Sequence, residues 1–508
     1  MAHDQSDVID FLNRPSSYDA AVERVDIIET HVSLVFLVGD RAYKLKRAVK
    51  FPYLDFSTVD LRRAACEAEL ALNRRTAPNL YLEVRALTRG PKGEIGFGLK
   101  GCEIDWVVVM RRFEQAALFD ELAKTGRLNA SLVTELADHI AAFHRVAEPR
   151  PNHGGAAALA AVTETNHCCL MVARNAGFAI EDIVEIRQRS LEHLAAISTL
   201  LDRRRAAEKV RRCHGDLHLR NVCLFEGKPI LFDCLEFSDE LASIDVLYDL
   251  AFLLMDLEHR GLADLANLVL NRYLDLTGED DGLAAMPLFL SSRAAIRAHV
   301  TAAALDRAAH AGAKPKMAAE ARSYLDLSTR FLRPRSPRLV AIGGLSGTGK
   351  STLAAALAPL LGARVLRSDV IRKRLFDVAP ETRLPASAYT PRVSRRVYRT
   401  LCRKTTDVLV AGYSVIIDAV SLKPEERRSF LEVAATAGVP FVGLWLAAPA
   451  TTMDRRLRVR RHDASDASPE VLAQQLQQDP GPMDWVRIDA GAGLEECLAA
   501  SHRALGFC

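Results

Sequence analysis

The chain has 508 residues, 49% apolar and 26% charged, with 67 Lys and Arg against 64 Asp and Glu for a net charge of +3. At about 100–200 residues per domain the length suggests two to four domains, and the composition excludes a collagen-like repeat, low-complexity disorder and a disulfide scaffold. No apolar run approaches the ~18 residues that span a bilayer, so no membrane association is expected.

The chain opens with MAHDQSDVID, acidic and without a basic or apolar block. No targeting peptide is read there, and the cytoplasm is the expected compartment. Next, HVSLVFLVGDRAYKLKRAV holds two β-favouring runs around Gly39-Asp40, a hairpin signal. An Ala/Arg/Glu/Leu segment at 59–75 reads as helix, and strands follow near 81–87 and 104–110. From about 115 to 210 and from 240 to 330 the pattern is Ala/Leu-rich at helical spacing, with VTELADHIAAFHRVAE a representative amphipathic helix. This half reads as a β lobe followed by a helical lobe. The ten cysteines form no CxxC pair, and Cys213, Cys223 and Cys234 match no zinc spacing, so reduced thiols without a metal-thiolate site are expected.

Arg333-Pro-Arg-Ser-Pro-Arg338 has two prolines and no apolar residue, which reads as an extended linker. The division expected is 1–332, a linker at 333–338, and 339–508. Up to Arg333 there are 42 basic and 47 acidic residues, net −5; beyond it 25 and 17, net +8. Residues 364–404 alone carry twelve Lys and Arg against Asp369, Asp377 and Glu381. Such asymmetry points to two modules and raises an anionic partner for the second.

The most informative string of the first half is CHGDLHLRNVCLFEGKPILFDCLEF. It sets Asp216 five residues before Asn221 and ends an apolar run on Asp233. Phosphoryl transfer needs a carboxylate to accept a hydroxyl proton, and an amide oxygen with a second carboxylate to hold Mg²⁺. His214, Gly215, Asp216, His218 and Asn221 meet every fixed position of HGDxHxxN, and the segment resembles the aminoglycoside phosphotransferase and choline kinase branch of the kinase superfamily. That resemblance implies a strand lysine on the ATP phosphates paired with a helix glutamate. Lys44 and Lys46 lie on one strand face. Lys46 is preferred because its Leu-Lys pair is like the family's; of Glu67 and Glu69, Glu69 is preferred. WVVVMRRF resembles the interlobe hinge, whose backbone around Met110–Arg112 would meet adenine. A Gly-rich phosphate loop is missing before Lys44. Asp245 and Asp249 are read as structural.

After the linker the strand LVAIGG runs into GGLSGTGKST. Gly344-x-x-x-x-Gly349-Lys350-Ser351 is the Walker A pattern between a strand and a helix, the context the motif requires. Backbone N–H groups of Gly344, Leu345, Ser346, Gly347, Thr348 and Gly349 would face phosphates, with Lys350, Ser351 and Thr352 opening the helix. Ser351 would bind Mg²⁺, and Asp418, ending the strand VIID, suits a carboxylate behind it. VLRSDVIRKRL sets Asp369 after a strand and Arg372 one turn later; here the chain resembles the zeta-toxin, gluconate kinase and polynucleotide kinase group. The resemblance implies that Asp369 receives an acceptor hydroxyl and Arg372 an anionic part of the acceptor. MDRRLRVRRHDASDAS, with five arginines at 455–461, resembles the lid of these kinases, where Arg456 and Arg460 would close over the phosphates.

The two resemblances cover about 25–330 and 338–508. Together they identify a bacterial fusion of an aminoglycoside phosphotransferase-like domain with an AAA or P-loop ATP-binding domain. The expected fold is an α+β bilobal kinase-like domain followed by an α/β P-loop domain with a parallel sheet. The expected activity is ATP- and Mg²⁺-dependent phosphorylation of a hydroxyl on a sugar, aminoglycoside or amino alcohol. Two alternatives stand beside it: a nucleic-acid or nucleotide acceptor for the P-loop domain, or a nucleotide-sensing role for it.

Overall fold

The computed structural model describes residues 4–18, 23–51, 54–305, 314–460 and 463–506. The chain packs as two compact units, one of residues 1–162 with 201–256 and one of residues 163–200 with 257–508.

The first unit is built on an antiparallel sheet of β1 (Asp26–Glu29), β2 (Ser33–Val38), β3 (Arg41–Lys46), β4 (Tyr81–Arg89), β5 (Ile95–Phe97) and β6 (Cys102–Arg111). Its spatial order is β1-β2-β3-β6-β4-β5. The expected hairpin is β2–β3, turning through Gly39 at φ 56°, a value that favours glycine. Period-two alternation divides the sheet. Phe36, Tyr43, Leu45, Val107 and Val109 fill a core on one face. Ala42, Val108 and Met110 fill another with Cys66 of α1 (Val59–Asn73). Thr58 caps that helix by accepting from the Leu61 amide, and its buried face is Arg62, Cys66, Glu69 and Asn73, spaced three and four apart. Arg62 is pinned to Asp105 of β6 by two bonds of 2.8 and 2.9 Å, both side chains fully buried.

The helical part of this unit holds α2 (Ala130–Val146), capped by Asn129. The strand β7 (Val210–Arg212) leads into the HGD string, the hairpin β8 (Val222–Phe225) and β9 (Lys228–Leu231) follows, β10 (Ser243–Asp245) pairs back on β7, and α3 (Val246–His259) comes next.

The second unit contains α4 (Ala263–Thr277) and a five-stranded parallel sheet: β11 (Leu339–Gly344), β12 (Arg364–Arg367), β13 (Val415–Asp418), β14 (Phe441–Ala447) and β15 (Val486–Asp489). The order is β12-β13-β11-β14-β15, with β11 central and buried along its whole length, as strands covered on both faces are. Crossover helices include α5 (Lys350–Leu361), α6 (Ser368–Leu375) and α7 (Pro391–Val410); α8 (Ala450–Val459) and α9 (Pro469–Leu476) follow β14. Residues 333–338, the expected linker, carry neither helix nor strand. The fold is thus a kinase-like α+β region followed by an α/β P-loop region. Among the described residues, no helix is long and apolar enough to cross a membrane.

Candidate active sites

In the first unit, the sequence string becomes a loop held from behind. Asp249 of α3, fully buried, accepts from the backbone amides of His214 (3.1 Å) and Gly215 (2.8 Å) and meets the His144 ring at 3.1 Å. Cys213 Sγ lies within 4.8 Å of the polar atoms of these two side chains but donates to the Ile244 carbonyl (3.4 Å), so the anchor is Asp249 with His144 and the two amides. Asp256 accepts from the Leu219 amide (3.0 Å), and Asp245 is doubly bonded to Arg204 (2.8 and 2.9 Å). Asp245 and Asp249 are therefore structural, as read from the sequence.

That anchoring presents Asp216 with 39% of its side chain exposed. The Asn221 amide nitrogen donates to the Asp216 carboxylate (2.9 Å) and to its carbonyl (2.9 Å), leaving the Asn221 Oδ1 for a cation. His218 Nε2 lies 3.4 Å from the same carboxylate. The Phe232 amide donates to the Asn221 carbonyl (3.0 Å), tying the next strand to the loop. Asp233 then takes φ 61°, a left-handed value costly for a residue with a Cβ. Its amide is held by the Tyr81 hydroxyl (3.2 Å) and the following Cys234 amide by Asn73 (2.8 Å).

Lys44 and Lys46 both reach Glu69. Lys44 Nζ bonds Glu69 Oε1 at 2.8 Å and Asp233 Oδ1 at 2.6 Å; Lys46 Nζ bonds Glu69 Oε2 at 2.6 Å and Glu236 Oε1 at 2.5 Å. Burial would raise the Glu69 pKa, but the two ammonium groups hold it at about 2. Burial works to lower both lysines, and the carboxylates outweigh it, so both are raised. Lys46 has no exposed side-chain surface, whereas Lys44 keeps 12% and stands beside Asp233. Glu67 points elsewhere, to Arg63 (3.0 Å). Glu236 was not singled out by the sequence; the signal available was a second acid three residues after Asp233. At the hinge, the Met110 side chain is buried in the core under α1, and the Arg111 and Arg112 amides donate to Leu80 and Asp40 carbonyls.

In the second unit, residues 344–349 form the loop between β11 and α5. Gly344 sits at φ 134°, and a Cβ there would come 2.5 Å from the Leu446 carbonyl oxygen. Ser351 donates to Asp418 at 2.6 Å, joining the two residues read as the metal side of the site. Lys350 Nζ turns back to the Leu345 carbonyl (3.0 Å); burial lowers its pKa, with Asp418 and Asp369 opposing. Arg367, missed in the sequence, lies 3.3 Å from Asp418 and makes two 3.0 Å bonds to Asp463.

Asp369 opens α6 near this cradle, and burial pushes its carboxyl above the ordinary value. Arg372 is buried, donates to the Ala388 carbonyl (2.8 Å), stacks on Tyr389 at 4.7 Å and leaves its Nε without a partner. Of the lid arginines, Arg456 donates to the Thr348 carbonyl in the Walker loop (3.2 Å). Arg460 donates to the Ser465 and Ala467 carbonyls (3.0 and 2.7 Å), shaping the loop after α8. Arg461 and His462 of the lid string lie outside the described residues. The Ser346 amide, a phosphate-facing group of the motif, donates to Gln475 of α9 (2.9 Å).

Comparison with known proteins divides the chain by sequence rather than by compact unit. Residues 36–288 match the family model for the phosphotransferase enzyme family, and residues 339–480 match that for an AAA domain. An uncharacterized protein of Mycobacterium tuberculosis is 31% identical over 489 residues, covering 94% of this chain and 95% of its own. Among solved structures, choline kinase from Cryptosporidium parvum covers 65% of this chain and 95% of its own at 11% identity and TM-score 0.41. A sugar kinase from Janibacter sp. HTCC2649 covers 34% and 96% at 22% identity and TM-score 0.26.

Proposed function

The chain belongs to the family in which a phosphotransferase-type kinase domain is followed by an ATP-binding P-loop domain of the kinase type, and from that membership we propose that each domain transfers the γ-phosphoryl group of ATP to a hydroxyl of a small molecule. In the first domain Asp216 accepts the hydroxyl proton, and Lys44 rather than Lys46 reaches the phosphates. The observation that carries this reading is the continuous set of bonds Asp216–Asn221 and Asp233–Lys44–Glu69 on one bonded frame. Asn221 Oδ1 and the Asp233 carboxylate are hard oxygen donors suited to Mg²⁺. When bound, the metal neutralises charge on the transferring phosphates. Lys46 belongs to the interior, where it balances Glu69 and Glu236.

In the second domain Lys350 and the loop amides would take the nucleotide phosphates, Ser351 backed by Asp418 would face the metal, and Asp369 would orient and deprotonate the acceptor. Sugars, aminoglycosides and amino alcohols are the acceptor classes for the first domain. The test is product analysis by mass spectrometry of the full chain with ATP and a metabolite library. Asp216→Asn and Asp369→Asn should each lose one set of products by ~10²–10⁴-fold, the range of general-base catalysis. If Asp369→Asn leaves every product intact, the P-loop domain is not a kinase of this type.

A further inference from the structure

The Walker pattern counts the amides of residues 344–349 as phosphate donors, yet three of them are committed within the protein. The Gly344 amide donates to the Val420 carbonyl (3.1 Å), the Thr348 amide to the Leu345 carbonyl (3.3 Å) and the Ser346 amide to Gln475 Oε1 (2.9 Å). The first two bonds end on backbone. The third ends on a carboxamide, which carries a donor beside its acceptor. Gln475 Nε2 has no partner among the described residues and belongs to the same planar group as the oxygen that Ser346 holds.

The helix α9 fixes that group in place. Leu472 packs with Met453 and Leu457 of α8, and Leu345 of the Walker loop packs against the same cluster. Gln475 follows Leu472 by three residues, so both leave α9 on the loop side. Gln474, Gln477 and Gln478 beside it are exposed, whereas Gln475 is half-buried. The peptide between Leu345 and Ser346 offers its carbonyl to Lys350 Nζ (3.0 Å) and its N–H to Gln475. Lys350 is the group of this motif that reaches the outer phosphates, while the amides opening the helix take the inner ones. One peptide plane therefore separates Gln475 from the lysine of the outer phosphates.

Resting on the reading of the Walker loop as an ATP site, we propose that Gln475 is a specificity residue for the terminal phosphate. Its Oε1 stays on the Ser346 amide and its Nε2 donates to a γ-phosphate oxygen, passing on the donor that Ser346 has spent. The bond from Ser346 fixes which end of the carboxamide is oxygen, so the end left free is the donor. With ADP that donor has no phosphate oxygen to meet, and the residue thereby discriminates between the two nucleotides.

The test is calorimetric titration of the full chain carrying Lys44→Met, with Mg²⁺ and either a nonhydrolysable ATP analogue or ADP; binding that Lys350→Ala removes reports the second domain. Gln475→Ala should weaken the ATP analogue by about tenfold and ADP by less than about threefold, because a hydrogen bond to a charged group is lost only where the terminal phosphate is present. Gln475→Glu still accepts from Ser346 but has no donor to give, and should weaken the analogue at least as much as Gln475→Ala does. An unchanged unfolding midpoint in both variants shows that the fold is kept. Equal weakening of ATP analogue and ADP would make Gln475 a brace of the loop, and tighter binding in Gln475→Ala would make it an internal competitor. Either result, or wild-type binding in Gln475→Glu, overturns the proposal. Nucleotide binding untouched by Lys350→Ala would remove the ATP-site reading and the proposal with it, whereas Lys350-dependent binding indifferent to Gln475 sinks the proposal alone.

Discussion

Lys44 and Lys46 leave the same face of one strand, yet their surroundings give them different work. Lys44→Met should lower kcat/KM of the first domain by two orders of magnitude or more, with the fold intact, because its partner Asp233 is part-exposed and keeps water. Lys46→Met leaves Glu236 in the interior without its cation and Glu69 with Lys44 alone, and should cost about 3–5 kcal/mol in chemical denaturation. A larger activity loss in a stable Lys46→Met than in Lys44→Met would reverse the assignment. Asp369 supplies a pH test. Its carboxyl is raised, so it acts as a base only above that raised value. With the first domain silenced by Asp216→Asn, phosphorylation by the second should fall as pH drops through a midpoint above the ordinary carboxylate range. An acid limb at the ordinary value would separate Asp369 from the rate. The motif residues at this scale were legible because short covalent spacing sets their neighbours. Glu236, Arg367 and Gln475 were not, since their partners lie up to 190 residues away.

At the scale of elements, β12 and α6 carry Arg367, Asp369 and Arg372, and the start of β12 is nailed down by Arg364. Its guanidinium meets Asp280 and Asp275 at 2.7 Å each and Asn271 Oδ1 at 3.1 Å, while Lys404 of α7 shares Asp280 at 2.6 Å. Burial would raise Asp280, but the two cations hold it at about 2, below its ordinary 3.8. The folded state therefore gains stability from Asp280 that is present in full above its unfolded pKa and is lost as pH falls toward 2. Asp280→Asn should destabilise the second unit by about 3–5 kcal/mol at neutral pH and flatten its acid denaturation in that window. An unchanged denaturation midpoint would show the network to be incidental. In the Walker loop, a Cβ on Gly347 would come 2.6 Å from the Met453 carbonyl oxygen at φ 84°. Gly347→Ala should weaken ATP binding to the second domain by tenfold or more in equilibrium titration, without altering products of the first. Strands and helices were legible from alternation and period; the Arg364 cluster was not, because a basic residue before a strand carries no mark of a buried partner.

For the molecule as a whole, two kinase-type regions in one chain predict separable chemistry. Asp216→Asn and Asp369→Asn should remove different products, and the double variant should remove both; loss of the same product in both single variants would show that the domains act on one reaction. The +8 of residues 334–508 also permits a charge test. Arg364, Arg367, Arg372 and Lys373 are spent on carboxylate and carbonyl partners, while Arg392, Arg395, Arg396, Arg399 and Arg403 along α7 are exposed. With a small-molecule acceptor, oligonucleotide affinity should be weak; a tight affinity that falls steeply with salt would favour a nucleic-acid acceptor.

By itself the sequence determined the two-part architecture and the loops that carry the chemistry, because HGDxHxxN and the Walker A string each fix backbone and side chains within a few residues of one another. Only the tertiary structure decided which lysine stands at Asp233, which carboxylates hold the loops from behind, and which side chain meets the Ser346 amide. Those outcomes depend on which distant side chains share a buried volume, where an unpaired charge is too costly to leave and each ion must find its partner.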